Sequence, residues 1–241
     1  MNQIQTRLHD TLYKGTGPEI FLAVRARELH RSIATNADRV NMAGYGELFS
    51  ALQNGAVCEL TLSIAKLFER PSARYITRSI PSAIALLQAH AADLTPVEPT
   101  VALRDLDRIG ISTNGLRKLN GANYTLSLAS RLGSACPDVS QAFTDDLSRA
   151  LDALRVSRDK TIAHNEAIDR AVLPSTSWAD VENLILFAKH THAALAMAYF
   201  GSIWTDDIGT FLPDSEARIA SMQLNRVVAT IGPDASQVAT T

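Results

Sequence analysis

Apolar residues in this chain recur at spacings of three and four, and prolines cut the runs apart. Phe49, Leu52, Ala56, Leu60, Ile64 and Leu67 fall on one stripe, widened by Val57, Leu62 and Phe68. That period is the signature of an amphipathic helix, because about 3.6 residues make one turn. It predicts a helix over roughly 45–70, central to the fold, and Pro71 ends it by lacking a donor and clashing with the preceding turn. No stretch keeps the strict alternation that a half-buried strand requires. The class is therefore all-α.

The same reading places the other elements. Gly17-Pro18 opens a helix running to about residue 38, since proline suits the first helical turn. Another starts near Pro81 and runs to about 93. Thr95-Pro96-Val97-Glu98-Pro99 reads as a loop. Shorter helices are expected near 102–108 and 122–132, with a turn at Ser112–Gly115. Pro137 opens a long helix over about 137–168. A long apolar helix follows over about 177–200, started by Ser177 and Asp180 and stopped by Gly201. A last helix covers 214–230. The expectation is one helical domain over 18–230 with a frayed tail at 231–241.

Composition narrows the function classes. Hydrophobic residues make up 46% and charged residues 20%, which suits a packed domain rather than a disordered chain. The formal net charge is −2. Broad attraction to phosphate needs a basic excess, so any nucleic-acid contact must come from a local patch. Cys58 and Cys136 are the only cysteines; both read as small buried hydrophobes, with no disulfide framework and no metal spacing. With no apolar leader segment and no long uninterrupted apolar run, the expectation is a cytoplasmic protein without membrane insertion.

The helix expected over 137–168 changes character along its length. Its inward positions are Phe143, Leu147, Ala150 and Leu154, followed on the same stripe by Arg158, Thr161, Asn165 and Ile168. At about 100° per residue, Arg158, Lys160, Thr161, His164 and Asn165 spread over an arc of roughly 160°. A guanidinium and an amide in line with a core stripe are costly unless paired or solvated. The plain structural alternative is that the helix simply leaves the core here and Arg158 pairs with a carboxylate.

The string Arg158-Asp159-Lys160-Thr161-Ile162-Ala163-His164-Asn165 resembles the signature of the HEPN superfamily, in particular the HEPN-like proteins of phage abortive-infection systems. Leu67-Phe68-Glu69-Arg70 followed by Ser79-Ile80-Pro81 also looks like that branch. The resemblance implies a helical bundle, metal-independent RNA cleavage without a cofactor, and a homodimer whose motif segments share one composite site. It implies Arg158, His164 and Asp159 as the catalytic group, with Lys160, Thr161, Asn165 and Arg155 contacting RNA. A paired antitoxin or sensor protein is a further implied partner. The chemistry suits the residues: imidazole accepts a proton near neutral pH, and a forked guanidinium stabilises the charge of a pentacoordinate phosphate. On a straight α-helix positions 158 and 164 diverge by about 120°, which favours a second copy completing the site.

Other readings stay open. The chain could be a non-catalytic helical module binding RNA or protein, or a scaffold in which the motif is ordinary helix-end chemistry. Asp159 orients Arg158 or His164, or simply pairs with Lys160 or Arg155. Lys66, Arg70, Arg74 and Arg78 against Glu69 make either a solvated loop or an RNA-guiding rim. His190 and His192, in the apolar helix, read as hydrogen-bonded core histidines. Trp178 and Trp204 read as packing anchors.

Overall fold

A computed structural model describes residues 1–137, 145–163, 176–206 and 210–231. Phe143, His164, Asn165, Ile168 and the tail from 232 onward lie outside the described residues. Among the described residues the secondary structure is helical, and the only β-type pairing is an isolated bridge between Thr205 and Phe211. None of the described helices is long and apolar enough to cross a membrane.

The elements run α1 (Gln3–Thr11), α2 (Gly17–Thr35), α3 (Ala37–Met42), α4 (Gly46–Leu67), α5 (Ile80–Ala89), α6 (Pro99–Arg108), α7 (Gly121–Ala135), α8 (Asp145–Ser157), α9 (Trp178–Phe200) and α10 (Pro213–Ile231). Punctuation read from sequence recurs in the caps. Ser177 and Asp180 form a reciprocal capping box at the start of α9, and Gly201 ends that helix in the left-handed region, φ 61°. Ser79 caps α5, accepting from the Ser82 amide with Pro81 in the first turn.

Four expectations are corrected. First, a helix precedes Gly17-Pro18: α1 is capped by Asn2 and Gln5, and its Leu8 is fully buried. It joins α2 through a π-helical turn, Leu12–Thr16, so helical backbone continues into Pro18 rather than starting there. Its apolar signal is too sparse to stand out in sequence. Second, α4 shares the centre with α9, which touches α2, α4, α5, α6 and α8, and the stripe read on α4 is not wholly inward. Leu52 and Val57 on α4 face water. Third, the helix expected over 137–168 is described as α8 to Ser157 and then as a π-helical segment, Arg158–Ala163. Fourth, Cys58 is only half-buried and Trp178 is exposed, its ring tilted against His30 at 4.4 Å, while Cys136 is buried.

The core is built chiefly by α9 with α6 and α8 and by α2 with α4. Every residue from Phe187 to Tyr199 is buried. Lys189, His190, Thr191, His192 and Tyr199 among them carry polar groups, and buried polar groups need partners. His190 Nδ1 lies 3.0 Å from the Asp105 carboxylate on α6, which also accepts from Thr205. His192 Nδ1 lies 2.8 Å from the Thr16 hydroxyl, against the edge of Trp204. Lys189 donates to Asp214 at the start of α10, 2.6 Å away.

Candidate functional site

The site forms where α8 changes its winding. Leu147, Ala150, Leu151 and Leu154 bury the inner side of α8 against α4 and α9. Arg158 is the next inward position, and there the backbone passes from α to π winding. π segments occur often at functional sites, because one widened turn re-aims the side chains that follow. The angular arithmetic that separated positions 158 and 164 on a straight helix therefore does not carry into Arg158–Ala163.

Arg158 is held by its neighbour. Its Nε donates to Asp159 Oδ1 at 2.7 Å, and Nη2 lies 2.6 Å from the same oxygen. The arginine side chain is 33% exposed and the aspartate 50%. An ion pair this wet contributes about 0–1 kcal/mol. Asp159 thus steadies the guanidinium without committing it, and a phosphate could take the carboxylate's place. Of the readings open for Asp159, the contact with Arg158 is one the structure shows.

Arg155 sits differently. Its Nη2 donates to the carbonyl of Phe68, the C-cap of α4, at 2.7 Å, and Nη1 lies 3.3 Å from Asp152. A cation on the last carbonyls of a helix satisfies orphan acceptors and opposes the helix dipole. Arg155 therefore ties the motif helix to the end of α4, and its guanidinium is not available in the way Arg158's is. Lys160 and Thr161 lie in the π segment; His164 and Asn165 fall beyond the described residues.

Elsewhere, the buried histidines have the hydrogen-bonded character their sequence positions imply. Burial with no compensating charge drives His192 far down, to about 3. Among the described residues no three His, Cys, Asp or Glu side chains are grouped so as to share a cation. The Asp105 and Asp214 partners were not visible in sequence, since 85 residues separate Asp105 from His190 and 25 separate Lys189 from Asp214.

The family model HEPN_AbiU2, described as AbiU2, matches residues 19–219. No curated protein and no solved structure matches the chain. The matched span runs from the first turn of α2 into α10 and contains the whole 158–165 string, so the chain belongs to the HEPN-like abortive-infection family AbiU2.

Proposed function

We propose that this chain is a metal-independent endoribonuclease of HEPN type, an antiphage or toxin effector acting in the cytoplasm as a homodimer. The observation that carries the reading is Arg158: a guanidinium at the wet end of a core-forming helix, steadied by a carboxylate it can exchange for phosphate. In this reading His164 takes the proton from a ribose 2′-hydroxyl as it attacks the adjacent phosphorus. Arg158 stabilises the pentacoordinate phosphate, and Asp159 positions Arg158. The 5′-oxygen leaves and takes up a proton from water, giving a 2′,3′-cyclic phosphate and a 5′-hydroxyl. Lys160, Thr161 and Asn165 contact the RNA, and the motif segments of two copies complete one site. A neutralising antitoxin or a sensor would act on this same face.

The test is cleavage of labelled single-stranded RNA by purified protein with and without EDTA, with end-group analysis of the products. Chelator-resistant cleavage leaving cyclic phosphate ends is the expected result. Chelator-sensitive cleavage would refute the mechanism. RNA binding without any cleavage would leave a non-catalytic RNA-binding module. Sedimentation should find a dimer; one formed instead through the exposed apolar row Met42, Tyr45, Leu48 and Leu52 would leave the composite site without support.

A further inference from the structure

Between α4 and α5 the chain forms a surface strap, residues 69–79, whose two ends are held together. Arg155 of the motif helix holds the Phe68 carbonyl just before it, and Ser79 Oγ closes the strap by donating to the Glu69 carbonyl at 2.5 Å. Beside that closure, Arg78 meets the N-terminal π turn. A Cβ on Gly15 would lie 2.5 Å from the Arg78 carbonyl oxygen, so only glycine admits this approach. The strap, α1 and α5 enclose a cleft of about 420 Å³. Arg7, Arg74 and Arg78 line it, and no carboxylate lies within ion-pair distance of their guanidiniums among the described residues. Its one acidic wall residue, Asp10, is paired with Lys14 at 2.8 Å, and Lys14 together with the charge of Arg78 holds its carboxyl below the usual carboxylate range. Tyr75 and Ile76 stand 59% and 78% exposed on the same strap.

We propose that this cleft is a groove for single-stranded RNA, with Arg7, Arg74 and Arg78 on successive phosphates and Tyr75 stacking on a base. Spaced cations beside an exposed aromatic ring are what a sequence-tolerant single-strand site requires. The chain's net charge of −2 leaves long-range attraction to RNA to a local patch such as this one. As a substrate track the groove rests on the ribonuclease reading; as a binding site it stands without it.

The experiment uses the full chain and a fluorescein-labelled 2′-O-methyl oligouridylate, which has no attacking hydroxyl, so binding is read by anisotropy whether or not the protein cuts. Arg74→Glu with Arg78→Glu should weaken binding by about tenfold or more and flatten the log–log salt slope by about 1.4. Tyr75→Ala should weaken it by at least about fivefold. Arg117→Glu with Lys118→Glu makes the same charge change outside the cleft and should leave affinity within about twofold. The groove is refuted if the chain binds no oligonucleotide, if the control pair weakens binding as much as the strap pair, or if oligoglutamate displaces the RNA at equal charge concentration. It is also refuted if only Arg158→Ala abolishes binding. Strap-dependent binding by a protein that cuts no 2′-hydroxyl RNA would keep the groove and overturn the ribonuclease reading.

Discussion

The guanidinium of Arg155 lies 2.7 Å from the carbonyl of Phe68, so the helix that carries the motif is bolted to the end of a different helix. A hydrogen bond from a charged donor contributes about 1.5–3 kcal/mol. Arg155→Ala should therefore lower unfolding free energy by that amount in a urea titration, and Arg155→Lys should recover part of it. Arg158→Ala, breaking only the exposed pair with Asp159, should cost no more than about 1 kcal/mol. If the two costs are reversed, the tie is not what holds α8.

Chemistry and folding should separate along this helix. Arg158→Ala and His164→Ala should each reduce RNA cleavage by a factor of roughly 10² or more with little change in stability. Arg158→Lys keeps the charge but loses the fork, and should fall well short of wild type. Leu154→Ala, inside the core, should cost roughly 2–5 kcal/mol through a cavity while the folded fraction still cuts. Cleavage and stability lost in parallel in all of these variants would make the motif structural.

Acid should act on His192. Its folded value lies at about 3 because burial disfavours the imidazolium, while the unfolded chain titrates near the ordinary value of about 6.5. Between these limits the unfolded state binds a proton that the folded state does not. This contribution is fully present above about pH 6.5 and is lost as pH falls toward 3, at about 1.4 kcal/mol per pH unit. Carboxylates add slope of their own, so the measurement is a difference: unfolding free energy at pH 7, 6 and 5 for wild type and His192→Gln. The variant should be flatter. Equal slopes would mean that His192 is protonated in the fold.

Lys189 and Asp214 form a pair with side chains 8% and 15% exposed. Burial pulls the lysine down while Asp214 pulls it back up. Asp214→Ala strands a buried ammonium and should cost about 3–5 kcal/mol, whereas Lys189→Met with Asp214→Leu should cost much less. Thermal or urea unfolding of the two variants decides. A double variant as unstable as the single one would show that packing, and not the orphaned charge, sets the cost.

Much of this fold is written in local pattern. The Ser177–Asp180 box and Gly201 bracket α9 within a residue, Pro71 stands just past the end of α4, and Pro81 lies in the first turn of α5. What stayed hidden is non-local or lies in the winding itself. α1 offers Ile4 and Leu8 with little else apolar, so burial of Leu8, and of Leu12 in the turn that follows, rather than periodicity, makes it part of the core. Nothing in Arg158-Asp159-Lys160 announces a π turn, because α and π backbones accept the same residues. The partners of Lys189, His190 and His192 come from α10, α6 and the N-terminal turn, which only tertiary packing brings near. The motif itself was legible as a string, and its mutual geometry was not.

One consequence of α9 concerns time rather than shape. From Phe187 to Tyr199 no side of this helix meets water, so its amides cannot be reached by fraying or by a small local opening. They can exchange with deuterium only when the surrounding helices come apart together. α9 should thus hold the slowest-exchanging amides of the molecule, and their rate reports global opening. The wet Arg158 end of α8 can meanwhile open and reclose many times within one such event.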